Sequence, residues 1–128
     1  LSTQHSALNT MQLTPLHTAI LVTDLEKAEH FYGEVLGMSK IDRVMKFPGT
    51  WYQVGDYQLH LIVAPEVANK PKHEKWGRNP HIAFSVSDLD AAKQRLLNYN
   101  FPIQPSASGR PAIFTTDPDG NVIELGQA

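Results

Sequence analysis

Leu16-His17-Thr18-Ala19-Ile20-Leu21-Val22-Thr23-Asp24-Leu25 and Pro80-His81-Ile82-Ala83-Phe84-Ser85-Val86-Ser87-Asp88-Leu89 are one pattern written twice: a histidine, five mostly apolar residues, Thr or Ser, then Asp-Leu. The two histidines stand 64 positions apart. The same offset carries Asp24 to Asp88, Leu59 and Leu61 to Ile123 and Leu125, and His60 to Glu124, with no insertion across the unit. Agreement at separated places marks duplication of one supersecondary module.

The content of the module follows outward from the twin stretches. Residues 16–22 are an apolar, β-branched run of strand length, and Thr23-Asp24-Leu25-Glu26 reads as a capping box that starts a helix. Leu25, Ala28, Phe31, Tyr32, Val35 and Leu36 recur on one helical face, and Gly37 ends it as a left-handed cap. Three strands are expected next, over 40–46, 50–54 and 57–63, the last two joined by the two-residue turn Gly55-Asp56. The second half repeats this order. It has a strand over 81–86, a box at Ser87-Asp88-Leu89-Asp90, a helix facing inward through Leu89, Ala92, Leu96 and Leu97, and strands near 103, 112–116 and 121–125. Pro118-Asp119-Gly120 supplies the final turn.

The expected fold class is therefore α+β: two tandem βαβββ modules forming a curved mixed sheet around a cleft. One domain is expected over residues 12–126, with module 1 at about 13–64, module 2 at about 80–126, and an exposed connector over 65–79 that carries Arg78 and an exposed His73. Residues 1–11 lack periodicity and the first methionine is Met11, so they read as a poorly ordered or non-native tail in which His5 is discounted.

Composition narrows the function. The chain has 128 residues, 41% of them hydrophobic, and a formal net charge of −2 without a basic stripe, which disfavours nucleic acid and anionic membrane as partners and favours a small molecule. No apolar run reaches the ~20 residues that span a bilayer, and no export signal is visible, so a cytoplasmic location is expected. Cysteine is absent, which leaves His, Asp and Glu as the available metal ligands.

Strand parity then sorts the side chains. Leu59, Leu61 and Val63, like Ile82, Phe84 and Val86, and like Ile123 and Leu125, define an apolar face that the two helices should cover. The opposite face carries His17, His60, His81 and Glu124, one on each of four strands. A lone strand histidine is ordinarily a hydrogen-bonded surface group. Four such residues paired by a repeat are better satisfied by a divalent cation, because a buried Glu124 without partners is costly.

Here the sequence resembles the vicinal oxygen chelate superfamily, which contains glyoxalase I, extradiol dioxygenases, methylmalonyl-CoA epimerase, fosfomycin-resistance enzymes and the metal-free bleomycin-resistance proteins. The resemblance covers about residues 13–126 and is carried by the twin histidine stretches, by Phe31-Tyr32 through Leu36-Gly37, and by Asp117-Pro118-Asp119-Gly120-Asn121-Val122-Ile123-Glu124-Leu125. It implies sheets curled around a cleft, with His17 and His81 as first-strand ligands, Glu124 as a last-strand carboxylate and His60 at the remaining ligand position. His60 departs from the Glu or Gln found there in glyoxalase- and epimerase-like members.

The implied activity is that of a divalent-metal-dependent, glyoxalase-like lyase or isomerase acting on a small oxygen-chelating substrate, with Zn, Ni, Mn, Fe or Co as the ion. Glu124 is the expected proton-transfer base, and His60 a ligand or second acid-base group. Two alternatives accompany it: an extradiol dioxygenase using Fe(II) or Mn(II) on a catechol, and a metal-free drug-binding resistance protein. Phe47, Trp51 and Tyr52 are candidates for an aromatic wall, and Arg43, Arg78 and Arg110 for receiving a carboxylate or phosphate. His30 should be exposed on the helix, and Asp117 and Asp119 read as turn formers. A homodimer is expected, since two-module members of the family often build one cleft from two chains.

Overall fold

The computed structural model describes residues 10–43, 46–66 and 71–128. Residues 1–9 of the expected tail, and positions 44–45 of the expected strand over 40–46, lie outside the described residues. The chain runs β1 (His17–Val22), α1 (Leu25–Glu29, continuing as a wider helical turn His30–Val35), β2 (Ser39–Lys40), β3 (Gly49–Val54) and β4 (Tyr57–Val63). A 3-10 turn (Trp76–Arg78) follows, then β5 (His81–Val86), α2 (Leu89–Asn98), β6 (Ile103–Pro105), β7 (Ala112–Thr116) and β8 (Val122–Gln127).

The strands form two four-stranded mixed sheets, ordered β1-β4-β3-β2 and β5-β8-β7-β6. In each, the first and last strands of the module run parallel and the rest antiparallel. This is the tandem βαβββ, α+β architecture, and the two sheets are not closed upon one another. The repeat is exact where it matters most: Ala19 stands opposite His60, and Ala83 opposite Glu124.

The offset of 64 does not survive into the hairpin. Trp51 is paired with His60, but Phe114 with Glu124, an offset of 63. The cause is turn length. Val54 pairs with Tyr57 across Gly55-Asp56, whereas Thr116 pairs with Val122 across a five-residue turn.

Three expectations are corrected locally. The helix caps are Asp24 and Asp88, whose carboxylates accept from Lys27 N and Ala91 N, one position after the expected Thr23 and Ser87. Thr23 is instead engaged with Asp119 of the other module. The strand expected over 40–46 is only two residues long among the described residues. The connector is not a plain exposed link, because it folds into the 3-10 turn and leaves His73 half-buried.

The apolar face reads as parity predicts. Val22, Leu59, Leu61, Leu96, Ile123 and Leu125 are buried with Phe31, Tyr32 and Val35 in one contiguous core that draws on both modules. The helix face is capped at Gly37 with φ +76°, as its position after Leu36 requires. A polar seam joins the modules: the Tyr32 hydroxyl donates to Asp117 Oδ2 at 2.8 Å, Asn121 Nδ2 to the Leu21 carbonyl at 3.1 Å, and Arg95 Nε to the Val35 carbonyl at 2.8 Å. Among the described residues no helix is long and apolar enough to cross a membrane.

Candidate functional site

Each module contributes two of the four singled-out side chains, and they meet within the module. In module 1 the His17 and His60 rings are stacked, with centroids 4.1 Å apart and planes 15° from parallel. Trp51, on the neighbouring strand, covers the other side of His60 at 3.6 Å and 7°. Arg43 lies over Trp51 with its guanidinium carbon 3.8 Å from the ring. His60 is thus one of the two inner layers of a four-membered stack, and only 6% exposed despite facing away from the core.

Burial first, then His17 and Arg43, hold the His60 imidazole below its ordinary pKa, so it is neutral at pH 7. Its Nε2 lies 2.9 Å from Gln58 Oε1, an acceptor, which leaves Nδ1 with the free lone pair.

In module 2, His81 Nδ1 lies 2.7 Å from the Asn79 carbonyl. A carbonyl only accepts, so the proton of a neutral His81 sits on Nδ1 and the Nε2 lone pair faces outward. What it faces is Glu124 Oε1, at 3.2 Å. Two acceptors aimed at one another mark a place for a proton or a cation. A backbone carbonyl orienting the other ring nitrogen is also the usual support of a metal-ligating histidine. Arg110 Nη1 lies 3.3 Å from Glu124 Oε2, and Phe114 meets the His81 ring edge-on at 5.4 Å.

The His81–Glu124 pair therefore offers two donors of the kinds that a first-row divalent ion takes. The stacked His17 and His60 rings fit less directly, because lone pairs lying in near-parallel planes do not converge on one point unless a ring rotates. Among the described residues no group of three or more His, Asp or Glu comes together closely enough to hold an ion. The two halves of the expected set are not joined within one chain.

The aromatic and basic candidates separate as well. Trp51 shares the His60 face, whereas Tyr52, its neighbour in the strand, is 1% exposed in the core, because successive residues point to opposite faces. Phe47 is exposed in the loop before β3. His30 is exposed and paired with Glu34. Asp117 does form the turn, accepting from Asp119 N and Asn121 N, and in addition ties the modules through Tyr32.

A cavity of about 220 Å3 lies over His81 and Glu124 and is lined by Lys75, Arg78, Arg110, Ser106 and Ser108. A groove of about 750 Å3 runs from His81 along β5 to Thr18 and Tyr57 of module 1. A larger concavity, about 1020 Å3, is on the helix side between Glu29, His30 and Tyr99, and none of the four candidate ligands lines it. Size and chemistry part company here, and the convergent polar groups are at the smaller cavity. Sequence reading did not single out Lys75, Ser106, Ser108 or Phe114. The one-residue slip of the hairpin and the fold-back of the connector, which bring them in, leave no periodic signal.

Comparison with known proteins returns a consistent set. A family model described as Glyoxalase/Bleomycin resistance protein/Dioxygenase superfamily matches residues 14–125. The chain is 29% identical to Glyoxylase I 4 of Arabidopsis thaliana, over 91% of this chain and 72% of that protein. It is 29% identical to the mitochondrial methylmalonyl-CoA epimerase of Mus musculus, over 88% and 71% respectively. Among solved structures it resembles a glyoxalase family protein from Bacillus anthracis with a TM-score of 0.72 and 28% identity, covering 93% of this chain and 97% of that one.

Proposed function

The chain belongs to the glyoxalase/bleomycin resistance protein/dioxygenase superfamily, and from that premise we propose that it is a divalent-metal-dependent, glyoxalase-like lyase or isomerase acting on a small substrate that offers two adjacent oxygens. The observation that carries this reading is the His81–Glu124 pair, a ring nitrogen and a carboxylate oxygen 3.2 Å apart beneath a cavity lined by basic and hydroxyl side chains. His17 and His60 are the remaining donors. Because each chain offers the donors as two separate pairs, the full set is completed in a homodimer, where the His17–His60 half of one copy meets the His81–Glu124 half of another.

A bound Zn, Ni, Mn, Fe or Co ion supplies Lewis-acid polarisation of a substrate carbonyl. The chain's own residues do the rest. The Glu124 carboxylate takes the proton from the carbon beside that carbonyl and returns it to the adjacent position. Arg110 orients the carboxylate through Oε2, and the flat Trp51–His60–His17 stack excludes water from one side.

Metal content of His60→Ala and Glu124→Ala tests the assignment. Loss of stoichiometric metal in both makes His60 a ligand, and formation of lactoylglutathione from its hemithioacetal supports the lyase. A second reading is favoured by one observation: His60 is already bonded to Gln58 and sandwiched between rings, as suits an acid-base group beside a three-ligand site of His17, His81 and Glu124. That set with Fe(II) is the arrangement of an extradiol dioxygenase, and oxygen uptake with catechols after anaerobic Fe(II) loading distinguishes it. If the reloaded chain binds no metal at all, the drug-binding reading replaces both.

A further inference from the structure

Resting on the reading that the His81–Glu124 face receives the substrate, we propose that this substrate carries an oxyanionic head group, a carboxylate or phosphonate, received by Lys75, Arg78 and Arg110. The cavity over the pair is walled on one side by the connector and on the other by the β6–β7 loop. Among the described residues its charged lining, the pair aside, is three cations. Glu124 is the sole carboxylate among the lining residues, and Arg110 already spends one guanidinium nitrogen on it. Among the described residues no carboxylate or other acceptor engages the Lys75 ammonium or the Arg78 guanidinium. Unpaired like charges gathered at one cavity repel each other, and an anion entering it relieves that repulsion.

The basic wall is built, not incidental. Asn79, 8% exposed, accepts from Lys72 N at 2.7 Å and His73 N at 2.9 Å, and donates to the His73 carbonyl at 3.0 Å and the Trp76 carbonyl at 3.1 Å. Gln104 of β6 accepts from Trp76 N at 2.7 Å and donates to the Glu74 carbonyl at 2.9 Å, which fastens the turn to the sheet. Gly77 lies so close to the Phe114 ring that a Cβ there would approach it to 2.7 Å. Phe114 in turn packs edge-on against His81. The backbone that bears Lys75 and Arg78 is therefore held in place relative to His81. Opposite it, Ser106 and Ser108 hydroxyls lie 2.9 Å apart, with Arg110 Nε donating to Ser108 Oγ at 3.2 Å. This loop presents a guanidinium and two hydroxyls in the arrangement that suits oxyanion recognition. A volume of about 220 Å3 admits a small head group with a few carbons.

The test uses the full, metal-free chain at low ionic strength, titrated with glycolate, with hydroxymethylphosphonate and with neutral glycolamide, and followed by amide chemical shifts. At least one of the two anions binds at least about tenfold more tightly than glycolamide, and the tighter of them identifies the head group. Lys75→Gln and Arg78→Gln each weaken the anion by about tenfold, the scale of a lost hydrogen bond to a charged group. Lys93→Gln, on the exposed side of α2, leaves it unchanged. Equal binding of glycolamide, wild-type affinity in both wall variants, or an equal loss in Lys93→Gln overturns the proposal. Metal analysis of the same preparations keeps the two readings apart. Anion binding without metal uptake overturns only the metalloenzyme, and metal uptake without anion selectivity overturns only the anionic substrate.

Discussion

His60 shows how far a side chain's chemistry is set by its flat neighbours. Depressed by burial, its pKa favours the neutral ring in the folded state, so its contribution to stability is present above the unfolded value of about 6.5 and is lost as pH falls through the folded value. Urea denaturation of the metal-free protein should show stability falling between pH 7.5 and 5.5, and His60→Asn should remove part of that fall. Trp51→Leu should open one side of the ring, and a proton NMR titration should then find the His60 pKa shifted upward toward its ordinary value. That His17, His60, His81 and Glu124 lie on the face away from the core was legible from parity and the repeat, since alternation needs no tertiary knowledge. The stacking was not. Trp51 and Tyr52 look equivalent in sequence, and only pairing with His60 puts the first beside it and the second in the core.

Among the elements, the connector departs most from its reading. Lys-rich, proline-containing and without apolar period, it has the composition of a solvated link, yet Asn79 and Gln104 fold it against β6 through side-chain bonds to its backbone. Gly77→Val should force the turn off the Phe114 ring and cost about 1–3 kcal/mol of stability, measured by thermal unfolding, with a matching loss of anion affinity. The helices were legible because Leu25, Ala28, Phe31 and Tyr32 keep a helical spacing, although each cap falls on the Asp one position after the expected Thr or Ser. Asp24→Ala and Asp88→Ala should each cost about 1 kcal/mol in urea denaturation, whereas Ser87→Ala, outside the cap bond, should cost little. The widening of the first helix after His30, where Leu36 N reaches back to the Phe31 carbonyl, had no sequence signal.

At the scale of the molecule, the modules are joined by a shared core and by the Tyr32–Asp117 bond within it. Asp117 is buried, and burial raises its pKa in spite of the donors from Tyr32 and Asn121. Its contribution to stability is therefore fullest below the ordinary carboxylate value of about 4 and declines as pH rises through the folded value, so Asp117→Asn should flatten that part of the pH profile. Tyr32→Phe leaves Asp117 short of one donor and should lower stability by about 1–3 kcal/mol by urea denaturation. The separation of the His17–His60 and His81–Glu124 pairs makes assembly part of the proposed function. Light scattering at micromolar concentration should report a dimer, and a monomer that still holds stoichiometric metal would contradict the shared site.

By itself the sequence determined the duplication, the βαβββ order, the buried face and the placing of His17, His60, His81 and Glu124 on the strands' other face, because these depend on local periodicity and on an offset between copies. Only the tertiary structure decided which of these side chains meet, that a one-residue slip sets Phe114 rather than Thr115, the repeat counterpart of Trp51, opposite Glu124, and that the connector lines a cavity with Lys75 and Arg78. Those outcomes rest on turn length, on sheets left unclosed, and on side-chain bonds across long separations. Such non-local contacts leave no periodic trace in the chain that makes them.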